Sequence, residues 1–380
     1  MKSIILFGGS FDPIHNGHLA IARFALNHLD GEKVIYIPAK NPRWKQASDI
    51  KHRLEMLQIA LKDEPNCEIS TFEMDQNSPV SYSVITAEYF RKIYPNRKLY
   101  FIIGYDQLDQ LDDWHEIEHM SNLVQIVAFA RRGYPKNHEA IKKYHVQVIE
   151  NIKMPVSSTK IRTLQSLDTK KEVIDYIVDH DLYFCKTVKA YLSEDRYMHS
   201  ISVARTAYDI AKANNIEPSV AYIAGLLHDI AKNMSKQELH HYMDELFPEY
   251  ASYPEFTFHQ WVGSYITEEF FSITNQNILD AICYHTTGRK IMSTYDKIIY
   301  ASDKIEPLRG YNSDFLIEAC KENLEKGWLL VLKENERFFE EKHIKYKDIP
   351  LSKEMYENYL LEISKWSDVK IKVKSVLKLL

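Results

Sequence analysis

The sequence predicts two domains of different fold class, an α/β domain in residues 1–185 and an all-α domain in residues 186–361. In the first half, apolar runs of strand length alternate with segments of helical periodicity, which is typical of a parallel sheet with helices on both faces. Near Cys185 the strand-like runs largely stop, and the remaining sequence favours helix. The length of 380 residues is sufficient for two such domains.

The composition is ordinary for a globular protein and argues against several functional classes. Hydrophobic residues make up 45% and charged residues 27% of the chain, with a formal net charge of −5. This acidic balance gives no general attraction to nucleic acid or to an anionic membrane, so we expect neither as a partner. No apolar run approaches the length of a membrane span, and a cleaved signal peptide would remove the glycine motif described below. The scattered cysteines indicate a reducing cytoplasm; they are Cys67, Cys185, Cys283 and Cys320.

Six strands are predicted in the first domain, and helical segments lie between them. The predicted strands are residues 3–7, 33–38, 67–74, 99–104, 123–129 and 146–149. Helix is predicted at 19–26, around 54–61, at 83–93 and, in an acidic stretch, from about 105 to Trp114. Ligands of parallel sheets bind at the carboxyl ends of strands, so the loops after residues 7 and 104 are candidate sites.

The stretch Gly-Gly-Ser-Phe-Asp-Pro-Ile-His-Asn-Gly-His at residues 8–18 joins the first strand to the first helix. Its glycine pair allows a tight turn and a close approach of the backbone to a ligand. The helix start offers free N–H groups to an anion, and His15 and His18, three residues apart, can face the same anion. The pattern differs from the dinucleotide fingerprint and from the P-loop, and it suits a polyphosphate.

A second candidate anion site lies at residues 155–162, Pro-Val-Ser-Ser-Thr-Lys-Ile-Arg. Ser157 or Ser158 can cap the helix that follows, and Arg162 adds a cation. By itself this segment is also compatible with an ordinary capped helix.

The two segments together resemble a known family. The first resembles the G-G-S/T-F-D-P-x-H-x-G-H signature of nucleotidyltransferases that transfer an adenylyl group from ATP. The second resembles the I/V-S-S-T-x-I/L-R signature of nicotinate-nucleotide adenylyltransferases, and the likeness extends from residue 1 to about 184. It implies a Rossmann-like fold, the substrates ATP and nicotinate mononucleotide, and Mg²⁺ carried by ATP. The alternative is a pantetheine-phosphate adenylyltransferase, whose domain is usually shorter and typically lacks the Thr-x-Ile-Arg continuation.

The resemblance also implies roles for individual residues. His15, His18 and Arg162 would act on the ATP phosphates, and Trp114 would stack on the nicotinate ring. Lys45 and Ser83 depart from the family pattern, since Pro42-Arg43-Trp44 replaces the usual P-P-H and serine stands where threonine is frequent. The further residues expected to bind nucleotide are Gly8, Gly9, Ser10, Phe11, Gly104, Asp106, Ser157 and Ser158.

In the second domain, the residues that could carry chemistry are dispersed. They form the series His199, His228-Asp229, His259, His285 and Asp303. Imidazole and carboxylate ligands together suit Fe, Mn or similar divalent ions. The doublet is predicted to lie within an apolar helix over residues 224–232, where neighbouring side chains diverge by about 100°. His240 and His241 occupy a charged helix and are interpreted as a solvated pair.

This series resembles the H…HD…H…H…D pattern of HD-domain phosphohydrolases. The segment Tyr-His-Thr-Thr-Gly-Arg at 284–289, with Ile-Glu-Pro at 305–307 and Arg309, resembles more narrowly the bacterial YqeK-type family. That resemblance implies symmetrical cleavage of diadenosine tetraphosphate into two ADP. It implies one metal held by His199, His228, Asp229 and Asp303, and a second held by His259, His285 and a bridging Asp229. From charge and position, Lys232, Arg309 and Arg289 are candidates to bind the polyphosphate.

Other interpretations of the second half remain open. The domain could hydrolyse another nucleotide, or it could bind metal and nucleotide as a sensor without useful turnover. The intact set of candidate ligands favours catalysis. The lysine-rich tail, residues 362–380, has no counterpart in either family and is assigned to packing or to a homo-oligomer.

Overall fold

The computed structural model describes residues 2–42, 47–75, 81–130, 139–150, 156–310, 313–341, 343, 345 and 348–366, with side chains up to residue 359 at the end of the chain. Contacts within the chain divide it into two compact units, Met1–Asp181 and Leu182–Leu380.

The first unit is built on a parallel six-stranded sheet, which confirms the predicted fold class. Buried apolar side chains fill the central strands; Ile4, Leu6, Ile35 and Ile102 are almost entirely buried. The strand order is β3-β2-β1-β4-β5-β6, and each neighbouring pair is parallel. The strands are β1 (Ser3–Gly9), β2 (Gly31–Pro38), β3 (Cys67–Ile69), β4 (Leu99–Gly104), β5 (Gln125–Phe129) and β6 (Gln147–Ile149).

The strand order reverses between β1 and β4, and this reversal positions the site. The chain runs outward from β1 through β2 to β3, and it then returns to place β4 on the other side of β1. Their carboxyl ends, at Gly9 and Gly104, therefore flank one crevice, the place where open parallel sheets bind ligands.

Helices lie between successive strands of the first unit, as predicted, and further helices follow β6. They are α1 (Asn16–His28), α2 (Ile50–Leu61), α3 (Ser83–Ile93), α4 (Ile117–Leu123), α5 (Glu139–Lys143), α6 (Ser158–Arg162) and α7 (Lys171–Asp179). The acidic stretch expected to form helix through Trp114 forms a 3-10 helix, Tyr105–Asp113.

The predicted strand at 67–74 is wrong beyond Ile69. The N–H groups of Met74 and Asp75 both donate to the carbonyl of Thr71, at 2.8 and 3.1 Å. The Thr71 hydroxyl also bonds the Asp75 carboxylate at 3.2 Å. These local bonds close a turn where the apolar pattern alone indicated an extended chain.

The second unit is helical, as predicted. Its helices are α8 (Phe184–Lys189), α9 (Glu194–Ala213), α10 (Pro218–Leu227), α11 (Lys236–Leu246), α12 (Phe258–Phe271), α13 (Gln276–Cys283), α14 (Thr294–Ile305), α15 (Asp314–Glu322), α16 (Leu324–Glu341) and α17 (Pro350–Trp366). Gly225 of α10 lets that helix approach α9 closely, since a Cβ there would lie 2.8 Å from Ala204 Cα. Among the described residues, no helix combines the length and apolar character needed to cross a membrane.

Candidate active sites

The loop between β1 and α1 is held by a buried aromatic cluster. Phe11 adopts a positive φ of 47° and is 1% exposed. Its ring lies 5.4 Å from the Phe7 ring and 5.1 Å from that of His18. A Cβ on Gly9 would lie 3.1 Å from the Phe11 ring, so the second glycine leaves space for the ring to turn inward.

His15 and His18 lie together at the start of α1, as their spacing predicted. His15 is the N-cap residue, and its backbone N–H donates to Nδ1 of His18 at 3.2 Å. The two rings stack with 3.6 Å between centroids. His15 is buried and His18 half-buried, so His18 is the more accessible of the pair. Two stacked imidazoles at a helix N-terminus form a cationic or hydrogen-bonding surface suited to phosphate.

The second predicted anion segment wraps around the same loop. The Ser158 hydroxyl donates to the Pro13 carbonyl at 2.9 Å, and Arg162 Nη1 donates to the Asp12 carbonyl at 2.7 Å. Ser157 caps α6 by accepting from the Lys160 N–H at 3.3 Å. Two segments 150 residues apart in sequence are thereby joined into one site.

Arg53 is a site-forming residue that sequence reasoning missed. It is 1% exposed, and its guanidinium donates to four backbone carbonyls. These are Ser10 (2.8 Å), Ala39 (2.8 Å), Lys40 (3.2 Å) and Ser48 (2.9 Å). Arg53 therefore ties the loop after β1 to the loop after β2. A signal was present, because Arg53 shares helical spacing with the buried residues Met56, Leu57 and Ala60.

The remaining predicted residues of the first site line the neighbouring strand end. The Phe101 ring lies 3.0 Å from where a Cβ on Gly8 would be, and Trp114 meets that ring edge-on at 6.4 Å. Gly104 ends β4, and Asp106, half-buried, is the second residue of the 3-10 helix that follows.

The described residues include Ser83, which was expected near the nicotinate, but not Lys45, which was expected to bind substrate or ATP. Ser83 is the first residue of α3; its neighbour Tyr82 has its ring 4.6 Å from that of His115, next to Trp114. The start of α3 and the Trp114 segment are therefore adjacent. Lys45 lies outside the described residues.

In the second unit, the histidine–aspartate doublet lies just beyond a helix, and the prediction that it lies within one is wrong. Helix α10 ends at Leu227, and His228 is its C-cap. His228 Nδ1 bonds the Gly225 carbonyl at 2.7 Å, and that carbonyl would otherwise accept from the Asp229 N–H in a continued helix. Tight turns follow, with Ile230 N–H donating to Leu227 at 3.0 Å and Lys232 N–H to Asp229 at 2.8 Å.

One group of potential metal ligands joins α9, the doublet and α14. His199, His228 and Asp229 place one ligand atom each within 4.8 Å of one another. Asp303 Oδ1 lies 3.2 Å from His199 Nε2 and 3.6 Å from His228 Nε2. The other ring nitrogens are anchored, His228 to Gly225 as described and His199 Nδ1 to Glu306 at 3.0 Å. Such outer contacts direct the Nε2 lone pairs toward a common point.

A second group shares Asp229 with the first. Asp229 Oδ1 lies 3.2 Å from His259 Nε2 and 3.6 Å from His285 Nε2, and the two Nε2 atoms are 3.1 Å apart. His285 Nδ1 bonds the Ile282 carbonyl at 2.7 Å, which fixes its tautomer. The structure therefore brings together every predicted ligand of the series in two overlapping groups.

The donor atoms fit divalent cations. His228 Nε2 is buried and has no hydrogen-bond partner among the described residues. A buried imidazole nitrogen without a partner is costly unless something else, such as a cation, satisfies it. Mixed imidazole and carboxylate donors are the set that Fe, Mn and related ions accept.

The protonation states of the second group of ligands agree with this donor set. Burial lowers the pKa of His285 to about 3, and it lowers the pKa of His259. Burial would raise the pKa of Asp229, but the histidines around it hold that pKa well below the usual range. Neutral imidazoles and an ionised carboxylate are the forms that ligate metals. His199 differs: burial opposes its charged form, but Asp303 and Glu306 raise its pKa to about 9.

Four cationic side chains surround the acidic ligands. Arg196 Nη1 lies 3.1 Å from Asp229, Lys304 Nζ lies 2.8 Å from Asp303, and Arg309 pairs with Asp303. Lys232 Nζ lies 3.2 Å from both ring nitrogens of His259. Lys232 and Arg309 therefore lie beside the ligand groups, and their binding of polyphosphate stays a prediction. Sequence reasoning missed Arg196 and Glu306, although each stands three residues from a predicted ligand, at helical spacing.

Arg289 bonds carboxylates that lie outside the metal-ligand groups. Its guanidinium bonds Asp280 at 2.8 Å and Asp296 at 2.6 Å, and it stacks over the Tyr284 ring at 4.4 Å. None of these partners belongs to the metal-ligand groups. Asp296 is fully buried, so Arg289 compensates the charge of a buried carboxylate. His240 and His241 are more than half exposed on α11.

The sequence matches known families in both halves. Residues 6–164 match the Cytidylyltransferase-like family, and residues 196–308 match the HD domain. A structure described as a predicted HD superfamily hydrolase involved in NAD metabolism, from Clostridium acetobutylicum, is 30% identical. The match covers 50% of this chain and 97% of that one, with a TM-score of 0.42.

Two curated proteins match nearly the whole chain. One, from Mycoplasma genitalium, is 33% identical over 87% of this chain and 97% of its own length. The other, from Mycoplasma pneumoniae, is 30% identical over 87% of this chain and 98% of its own. Both are named probable nicotinate-nucleotide adenylyltransferase/Ap4A hydrolase. Identity at this level across both units shows that the chain belongs to the family of these nicotinate-nucleotide adenylyltransferase/Ap4A hydrolase proteins.

Proposed function

We propose that the first unit transfers an adenylyl group from ATP to nicotinate mononucleotide, giving nicotinate adenine dinucleotide and pyrophosphate. The joining of the two anion-binding segments around the loop at residues 12–16 carries this proposal. The names of the full-length relatives support the same substrates.

The reaction requires no nucleophile from the protein. An oxygen of the mononucleotide phosphate attacks the α-phosphorus of ATP, the new P–O bond forms, and the bond between the α- and β-phosphates breaks. Pyrophosphate leaves with the electron pair. The protein accelerates this exchange by aligning two polyanions and by stabilising the negative charge that spreads over the phosphates.

The side chains of the site divide this task. His15 and His18 face the phosphates from the start of α1, with Mg²⁺ entering as the complex with ATP. Arg162 acts from the other side: a guanidinium has five N–H donors, and bonds to Asp12 and Thr159 leave others for phosphate. The backbone of residues 8–11 cradles the nucleotides. Asp106 contacts ATP from the end of β4, while Trp114 stacks on the nicotinate ring and Ser83 lies beside it.

Substrate competition tests this assignment. We expect pyrophosphate release from Mg-ATP with nicotinate mononucleotide, and much less with pantetheine phosphate. Preference for pantetheine phosphate would overturn the assignment in favour of the alternative family. A third reaction uses nicotinamide mononucleotide, and its rate relative to that with nicotinate mononucleotide measures the preference for the ring carboxylate.

For the second unit we propose metal-dependent hydrolysis of diadenosine tetraphosphate into two ADP. The convergence of five ligand side chains in two groups that share Asp229 carries this proposal. A water oxygen forms a bond to one of the two central phosphorus atoms, and the anhydride bond between the central phosphates breaks. Each adenosine keeps two phosphates, and the proton from water passes to solvent.

His199, His228, Asp229 and Asp303 would hold one cation, and Asp229, His259 and His285 a second. Iron is the first choice of metal and manganese the second. Bound cations of this kind polarise phosphoryl oxygens and make water nucleophilic at neutral pH. The chain supplies the remaining charge, since Arg196, Lys232 and Arg309 lie against the ligands where a polyphosphate would enter.

The test of this second activity measures consumption of diadenosine tetraphosphate by the full-length protein, anaerobically with Fe²⁺ and separately with Mn²⁺. EDTA-treated protein is the control. We expect hydrolysis that depends on the added metal. A change in adenylyl-transfer rate without consumption of diadenosine tetraphosphate would instead establish a sensor.

Free thiols at all four cysteines support the cytoplasm as the proposed compartment.

A further inference from the structure

One hydroxyl group projects into the second group of ligands. Thr286 Oγ1 lies 3.0 Å from His285 Nε2 and 3.2 Å from His259 Nε2. Thr286 directly follows His285 in the sequence Tyr-His-Thr-Thr-Gly, and the names of the relatives assign it no role.

The spacing of the four atoms matches donors around a single cation. The measured separations are 3.1 Å between the two Nε2 atoms, 3.2 and 3.6 Å from these to Asp229 Oδ1, and 3.0 and 3.2 Å to Thr286 Oγ1. With metal–donor distances of about 2.1 Å, donors at right angles lie about 3.0 Å apart, and tetrahedral donors lie about 3.4 Å apart. The Thr286 oxygen lies within hydrogen-bond distance of both imidazole nitrogens, as a donor that shares a cation with them would.

The backbone around Thr286 is fixed by buried contacts. The N–H groups of Thr286 and Thr287 both donate to Oε1 of Gln260 at 3.2 Å, and Gln260 is fully buried. The Ser352 hydroxyl of α17 donates to the Thr287 carbonyl at 2.9 Å. Gly288 follows with a φ of +69°, packed against Met355 of the same helix. Contacts with α12 and α17 thus fix the backbone at Thr286, and this places its hydroxyl beside the two imidazoles.

We propose that the Thr286 hydroxyl oxygen is the fourth protein donor of the second cation position, beside Asp229, His259 and His285. It determines occupancy of that position and leaves the first position, at His199, His228 and Asp303, unaffected. The proposal rests on the proposed metal-dependent function. It makes the second position the weaker of the two, because a neutral hydroxyl replaces a charged ligand.

The test measures Mn²⁺ binding by metal-free full-length protein, from the EPR signal of free Mn²⁺ and from bound metal after desalting. Wild type should bind two ions per chain. Thr286→Val removes the oxygen at nearly constant volume and should weaken the second ion at least tenfold while changing the first less than twofold. Thr286→Ser keeps the oxygen and should bind both ions within threefold of wild type.

Thr267→Val is the matched control. Thr267 is a buried threonine of α12 whose hydroxyl bonds the Gly263 carbonyl at 2.8 Å, away from the imidazoles. Its replacement should leave both ions in place. Two ions bound by Thr286→Val with wild-type affinity would overturn the assignment, as would equal loss in Thr286→Val and Thr286→Ser. Wild type that binds no Mn²⁺ or Fe²⁺ would instead remove the proposed metal centre itself.

Discussion

The two sites are assembled in opposite ways. Around the loop of the first unit, the polar side chains donate to the backbone: Arg53 reaches four carbonyls, and Ser158 and Arg162 reach two more. In the second unit, the ligand nitrogens and oxygens converge on one another; His259 and His285 present Nε2 atoms 3.1 Å apart.

The polar groups of the first site satisfy one another through hydrogen bonds, whereas those of the second site require a cation. The first site is preorganised by hydrogen bonds already made, so its substrates find a fixed cradle. The second site brings lone pairs and buried carboxylates close together, which costs free energy in the absence of a cation. A bound metal ion removes that cost, so metal binding raises the free energy of unfolding of the second unit.

The strongest test is Asp229→Ala, because Asp229 belongs to both ligand groups. We expect loss of diadenosine tetraphosphate hydrolysis by a factor on the order of 1,000 or more, with adenylyl transfer within twofold of wild type. Paired assays on one preparation check this. Loss of both activities would contradict independent sites.

His18→Ala tests the first site, where a substitution should lower adenylyl transfer. Removing one imidazole of the stacked pair at the start of α1 should lower adenylyl-transfer turnover on the order of 100-fold without unfolding the protein. His28→Ala is the control, since His28 is exposed in the last turn of the same helix. Near-normal turnover in His18→Ala, measured by pyrophosphate release, would refute the assignment of the first site.

Arg53→Lys tests whether the first site depends on its internal hydrogen bonds. An ammonium group has three donors and lacks the planar fork, so it cannot hold all four carbonyls. We expect about a tenfold loss in kcat/KM for adenylyl transfer, by misplacement of the loop. Hydrolysis of diadenosine tetraphosphate should not change. An unchanged kcat/KM would show that the loop is held by other contacts.

Metal should stabilise the second unit selectively. Mn²⁺ at 100 times its Kd adds about 2.7 kcal/mol to the free energy of unfolding. For a unit of this size, that is a rise in Tm of roughly 5–10 °C. Differential scanning calorimetry with and without EDTA checks this, with Asp229→Ala as the unresponsive control. A similar rise in the transition of the first unit would contradict the contrast.

The smallest effect concerns a buried carboxylate of the first unit. Burial raises the pKa of Glu73, which is 8% exposed and bonds the Thr86 hydroxyl at 2.7 Å. The folded state therefore binds the proton more tightly than the unfolded state, and stability falls as pH rises from the unfolded pKa through the folded one. Glu73→Gln should be slightly more stable than wild type at pH 7, and the two should converge below pH 4.5. Urea titrations at both pH values measure this, and a Glu73→Gln variant less stable at pH 7 would contradict it.

Much of this organisation is predictable from sequence, because periodicity and short motifs carry it. The parallel sheet, the helical second unit and the convergence of His199, His228, Asp229, His259, His285 and Asp303 were all expected.

What failed depended on contacts that no local pattern encodes. The end of α10 follows from an imidazole that takes the Gly225 carbonyl, and the direction of Arg289 follows from Asp280 and Asp296. The helical spacing of Arg53 with Met56, Leu57 and Ala60 indicated a buried position, but its four partners are backbone carbonyls, which no sequence pattern identifies.

The most direct test of the account is the product pattern from diadenosine tetraphosphate in H₂¹⁸O, with full-length protein and Fe²⁺ or Mn²⁺. The account predicts ADP as the sole nucleotide product, with ¹⁸O in the terminal phosphate of one ADP in each pair. Asp229→Ala should give no product. ATP together with AMP would show cleavage at a different bond, and no product from metal-loaded wild type would contradict the hydrolase assignment.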